Sequence, residues 1–244
     1  MSFFAFPLNL LLALLWFVGV YSVYRHAGSS RVVRFMLSPL ATVLSIALFS
    51  AFCLIIGLTG DREWIHSIPF IAVYMFLMTV LMFVVLRGWK VNGTIRWRFI
   101  LNHVGLLLVL SSAFFGAPDS ETLRVQAFKD VPVQEAYRMD GKRVWMSHEI
   151  ELKDFNVGYY ENGTPSAYEA EVAVDGKNVL IKVNHPYSMG LSEDLYLSSY
   201  DSEAGEYCIL QLVREPWKYP ALAGILMMLS GAFLLFIQGP RKRK

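Results

Sequence analysis

The chain has 244 residues, 55% of them hydrophobic and 17% charged, with a formal net charge of +2. That is more apolar surface than a soluble domain of this length can hide, because its exposed face must be polar. The charge is unevenly divided. Residues 117–217 hold nine Lys/Arg and eighteen Asp/Glu, net −9, and the remainder is strongly basic; no basic face is set on a folded domain, which argues against nucleic acid as a partner.

A helix that crosses a bilayer needs roughly 20 consecutive apolar residues. Five runs qualify: about Phe3–Tyr24, Met36–Leu58, Ile68–Leu86, Phe99–Gly116 and Tyr219–Gln238. The first lacks a basic leader and is long, so it is read as a retained helix rather than a signal peptide. Arg25, Arg31 and Arg34 follow the first run, Arg87, Lys90, Arg96 and Arg98 follow the third, and Arg241 to Lys244 end the chain. These three segments carry eleven positive charges and no acid, whereas Asp61, Arg62 and Glu63 stand between the second and third runs. The positive-inside bias then predicts a multi-pass protein of the inner (plasma) membrane. Its N-terminus is outside, its C-terminus is cytoplasmic, and residues 117–217 are extracytoplasmic. Trp64, Trp89, Trp97 and Trp217 fall at the expected interfaces.

Between the fourth and fifth runs the pattern changes to short alternating segments. Tyr168 to Val174 puts two acids on one face, Val179, Ile181 and Val183 repeat the period of two, and Asp175-Gly176 between them signals a tight hairpin. Asp140-Gly141 and Asn162-Gly163 mark further turns, and Leu195–Tyr200 and Tyr207–Val213 are further strands. The predicted fold is membrane α-helical, with about five transmembrane helices and an inserted, externally exposed β-rich domain. Residues 1–116 form four spans, 117–217 the β-rich domain, and 218–244 the last helix and a basic cytoplasmic tail. The acid excess of the β-rich domain is read as ordinary surface solvation, with attraction of a basic partner as the alternative.

Three stretches carry a family resemblance. One runs from Arg98 through His103 and Gly105. The second is Leu152 to Tyr168, with Phe155, Tyr159, Tyr160, Gly163 and Pro165. The third is Ile181 to Gly190, with Asn184, His185 and Pro186, followed by Leu195-Tyr196 and Ser199-Tyr200. Gly57, Gly60, Ser67, Pro69 and Phe70 add to it. Together they resemble ResB (CcsB), the membrane subunit of system II cytochrome c biogenesis, over most of Gly57 to Gln238. The resemblance implies a part in moving haem b, transiently bound, across the membrane and presenting it to apocytochrome c. It implies a ResC/CcsA-like membrane partner that bears the tryptophan-rich haem-handling segment. This chain has no such segment. Thioether formation is expected to need the partner, so the chain alone is not expected to be an enzyme and no catalytic residue is assigned.

A polar side chain within a span is a functional candidate in its own right. His103 lies five residues past Arg98, roughly 7–8 Å along the helix axis. Neutral imidazole is a good axial ligand for haem iron, and the resemblance places the transmembrane haem ligand at this position. Arg96 and Arg98 are candidates for the haem propionates. Gly105 leaves room for a flat ring or a neighbouring helix. His66, near Trp64, is a candidate second ligand, although an interfacial anchor is the plainer reading. His185, before Pro186, is a weaker candidate whose expected role is turn geometry, with Asn184 and His185 bonding the backbone. His26 and His148 read as solvated. No metal-ligand template, nucleophile elbow or phosphate-cradling loop occurs, and Cys53 and Cys208 are expected in different environments, unbridged. The alternative function is a scaffold or accessory subunit that stabilises a membrane partner without touching haem. A small-solute transporter finds little support, since matched halves with interrupted helices are not seen.

Overall fold

A computed structural model describes residues 4–201 and 206–239. The chain forms two compact units, one of Met1–Ala117 with Lys218–Lys244 and one of Pro118–Trp217.

The first unit is helical. Its elements are α1 (Leu8–His26), α2 (Arg31–Met36), α3 (Pro39–Thr59), a 3₁₀ turn (Arg62–His66), α4 (Ile68–Gly88), the two-residue strands β1 (Lys90–Val91) and β2 (Thr94–Ile95), α5 (Trp97–Gly116) and α6 (Lys218–Gln238). Among the described residues, five helices are long and apolar enough to cross a bilayer: α1, α3, α4, α5 and α6. This is a membrane protein with an inserted β domain. The second apolar run is divided. Met36 belongs to α2, and α3 starts afresh where Ser38 accepts from the Ala41 N–H at 3.2 Å and Pro39 takes the first helical turn, a position that needs no N–H. Part of the first run, at Phe3, and the basic tail from Arg241 lie outside the described residues.

Burial differs among the helices. About a third of α4 and of α5 is enclosed, against a tenth of α1, α3 and α6. The α4–α5 pair therefore forms the centre, and the outer helices turn broad apolar faces outward, as lipid contact requires. Two long-range bonds tie polar groups inside the bundle: Tyr74 Oη donates to Leu110 O at 3.0 Å, and Asn9 Nδ2 to Phe115 O at 2.8 Å.

The second unit is a sheet of eight antiparallel strands among the described residues: β3 (Glu121–Phe128), β4 (Val133–Arg138), β5 (Arg143–Tyr159), β6 (Pro165–Val174), β7 (Lys177–Lys182), β8 (Tyr187–Ser188), β9 (Glu193–Tyr200) and β10 (Tyr207–Arg214). Their order is β7-β6-β5-β4-β3-β10-β9-β8. The 17-residue β5 pairs with β4 through its first half and with β6 through its second, with a register shift near Leu152; a bulge of this kind bends a long strand. Leu123, Val125, Ile150, Leu152, Val172, Ile181, Leu195, Leu210 and Leu212 form its fully buried core. The β6–β7 hairpin turns at Asp175 (φ 49°) and Gly176 (φ 79°), the paired positive φ of the predicted tight turn. Trp217 Nε1 donates to Asp119 Oδ2 at 2.7 Å and ties the exit of this unit to its entry.

Candidate functional site

The site is built at the junction of α4 and α5. Asn92 (φ 50°) and Gly93 (φ 77°) reverse the chain between β1 and β2, an Asn-Gly hairpin signal not among the predicted turns. The reversal lets the Arg96 N–H donate to Trp89 O at 3.0 Å, so α5 starts beside the end of α4. The far edge of the Phe99 ring then sits against Gly88, where any Cβ would overlap its Cζ.

His103 follows one turn later. Its ring stacks on Phe99 with centroids 4.0 Å apart and planes 22° apart, and the Arg96 guanidinium covers the same ring at 4.8 Å. His103 Nδ1 lies 2.9 Å from Phe99 O. A carbonyl only accepts, so Nδ1 carries the hydrogen and Nε2 of the neutral ring keeps its lone pair. The residue is half-buried. The chemistry on offer is a fixed imidazole with one nitrogen committed and the other without a hydrogen-bond partner among the described residues, the arrangement that orients a histidine ligand.

The space at Gly105 is taken by a helix. A Cβ at Gly105 would stand 2.7 Å from Gly224 O, and one at Gly224 would stand 2.7 Å from Gly105 O. Farther along the same seam, Asn102 packs on Gly231 while its Nδ2 donates to Arg98 O at 2.8 Å. Residues two apart on a helix point in nearly opposite directions, so His103 looks away from the α5–α6 seam.

The two candidate arginines diverge. Arg96 Nη1 donates to Gly88 O at 3.2 Å at the end of α4, and Arg98 Nη1 to Gly239 O at 2.9 Å beyond α6. Arg96 stays over the Phe99 ring while Arg98 reaches toward the end of α6, so the two do not converge on one point. His66 is exposed in the 3₁₀ turn at the opposite end of α4, a helix of 21 residues and so roughly 30 Å long; the fold does not bring it to His103. His185 stands exposed in a turn of the other unit. Asn184 takes a positive φ of 60° there, and the expected backbone bond is made by the His185 main-chain N–H, to Lys182 O at 3.0 Å.

Residues 92–207 match the ResB-like family. The family is linked to cytochrome c biogenesis. No curated protein matches the chain. The ResB-like stretch starts in the Asn92-Gly93 turn, takes in Phe99, His103 and Gly105, and ends at Tyr207. It is narrower than the expected likeness from Gly57 to Gln238, and it leaves α1, α3, α4 and α6 outside.

Within the β unit one assignment needs correction. His148 is not a solvated bystander. Its Nδ1 lies 2.6 Å from Asp175 Oδ2 and its Nε2 3.3 Å from Glu193 Oε2. Glu193 accepts from Arg214 Nε at 2.6 Å, Arg214 reaches Glu121 at 3.4 Å, and Glu121 accepts from Arg138 Nε at 2.7 Å. This chain of partners crosses β5, β9, β10, β3 and β4, and no local pattern announces it. The His148 ring and the Glu149 N–H hold the Asp175 carboxylate below its ordinary pKa. Cys208, buried in β10, is pushed up to about 12 by desolvation and is a core residue; both it and Cys53 are free thiols.

Proposed function

We propose that this chain handles haem in a cytochrome c assembly complex, with His103 as an axial ligand to the iron. The observation that carries the reading is the open Nε2 of His103, held in place by the Phe99 carbonyl and ring on a helix within the ResB-like stretch. Haem is cargo here. Imidazole supplies its iron ligand, Phe99 supplies an aromatic neighbour, and Arg96, over the Phe99 ring, supplies a guanidinium partner for a propionate; Arg98, bonded beyond α6, is the secondary candidate for the other. Because α6 fills the Gly105 side, the ring lies on the flank of α5 that faces away from it, where a ResC/CcsA-like membrane partner completes the site. The topology proposed from the basic segments puts His103 in the inner-leaflet half of an inner membrane and the β unit on the outer face. There the β unit organises that partner or apocytochrome c. His66 and His185 are secondary candidates on an exit path. Bond formation to apocytochrome c belongs to the assembled complex.

The test is an absorbance spectrum of the protein purified in mild detergent with a ResC/CcsA-like partner, native and as His103→Ala. A Soret band that weakens or shifts in the variant, with the complex intact, supports the reading. A band of full strength makes this chain a scaffold, and no haem in any intact complex removes the haem role.

A further inference from the structure

A cavity of about 420 Å³ opens beside the junction of α4 and α5, lined among others by Leu37, Val84, Arg87, Val91, Arg96 and Phe99. Its two ionisable walls are both arginines, and no acid lines it. Each guanidinium is fixed by one bond to a main-chain carbonyl, Arg87 Nη1 to Leu37 O at 3.0 Å and Arg96 Nη1 to Gly88 O at 3.2 Å. An arginine has five N–H donors, so each keeps most of its fork for an anion. Apart from Thr42 the rest of the lining carries no polar side chain, and the cavity stands where α4 ends and α3 and α5 begin, the level at which spanning helices meet headgroups.

We infer that this cavity binds the phosphate of an anionic phospholipid, with its glycerol and first acyl carbons against Leu37, Val84 and Val91. Three features favour this occupant. The first is charge: two fixed guanidinium groups meet a phosphate with geometry that a point charge lacks. The second is the mixed lining, which suits an anion carried on an apolar chain and not a free ion. The third is location, because basic pockets between spanning helices at the membrane boundary are where acidic headgroups settle. The cavity shares Arg96 and Phe99 with the proposed haem site, but His103 does not line it and its ligand is resident in the bilayer. It gives Arg87 a role that the haem site does not require. A bound lipid bridges the loop before α3 to the ends of α4 and α5 and so braces the junction that positions Phe99.

The experiment is retention of lipid by the full chain after delipidation in detergent, measured by native mass spectrometry. Phosphatidylglycerol, phosphatidylcholine and inorganic phosphate are offered separately. Phosphatidylglycerol is expected to bind in preference to phosphatidylcholine, with inorganic phosphate binding weakly. Arg87→Gln should weaken phosphatidylglycerol at least about fivefold, while Arg25→Gln, an equal loss of charge away from the cavity, should leave it unchanged. Val91→Trp fills the cavity from an exposed strand and keeps both arginines, so it should evict the lipid even where Arg87→Gln folds poorly. Equal loss in Arg87→Gln and Arg25→Gln means diffuse surface attraction and overturns the site. So does binding of inorganic phosphate as tight as that of the lipid, or full retention in Val91→Trp.

Discussion

Gly105→Ala tests whether the α5–α6 seam fixes the helix that carries His103. The new Cβ would stand 2.7 Å from Gly224 O and 3.0 Å from both Met227 Cβ and Met228 Cγ, whereas ordinary contact begins at 3.4 Å. The main-chain contact must therefore open by about 0.7 Å, and a carbonyl on a helix cannot rotate aside as a side chain does. Overpacking of this kind costs roughly 1–3 kcal/mol, set against about 1 kcal/mol gained from replacing glycine by alanine in a helix. A net loss is expected, read as a lower midpoint of thermal unfolding in detergent. Gly57→Ala in α3 is the control, because nothing stands within 4 Å of its Cβ; it should be neutral or stabilising. Gly224→Ala should cost a similar amount, and the double variant less than the sum, because the first retreat of the helices makes room for the second. Gly105→Ala as stable as Gly57→Ala would refute the reasoning, since the seam would then be loose.

The ionic chain of the β unit gives a second expectation. Arg214→Met leaves Glu121 and Glu193 without their shared partner at mostly covered positions and should lower stability by about 1–3 kcal/mol, measured by urea unfolding followed with Trp145 and Trp217 fluorescence. Asp175 carries a pH dependence. Its folded pKa lies below the ordinary value, so its contribution is present above the ordinary aspartate pKa and is lost as pH falls through the depressed one. Asp175→Asn keeps a residue that tolerates the turn's positive φ and should flatten the acid limb of the stability curve; an unchanged acid limb counts against the bond to His148. Cys208, its thiol raised to about 12 and buried, should resist maleimide until the β unit unfolds, so rapid labelling of the native protein would contradict the packing of β10.

The parts written in local pattern were legible in the sequence. Five apolar runs became five long helices, and Asp175-Gly176 became the predicted hairpin, because length, alternation and positive-φ residues act within a few positions. The break at Ser38-Pro39 was also written locally, as a cap followed by a proline, but lay hidden inside one apolar run. Gly105 showed that something approaches closely; that it is α6, more than a hundred residues away, is a fact of packing. His103 was legible from its place in a span, and Phe99, four residues earlier, was legible in principle from helical spacing. The partners of His148 were not, because register and the bend in β5 bring Asp175 and Glu193 to it from distant positions. Arg87 likewise acquires meaning only once the α4–α5 turn folds Arg96 back beside it.

The most direct test of the central claim replaces the imidazole and then returns it. His103→Gly, purified with the ResC/CcsA-like partner, is predicted to lose most of its Soret band and to regain it when free imidazole is added, since the small ligand can occupy the space left beside Phe99. A band that persists at full strength in His103→Gly without imidazole would contradict the account and place the haem elsewhere.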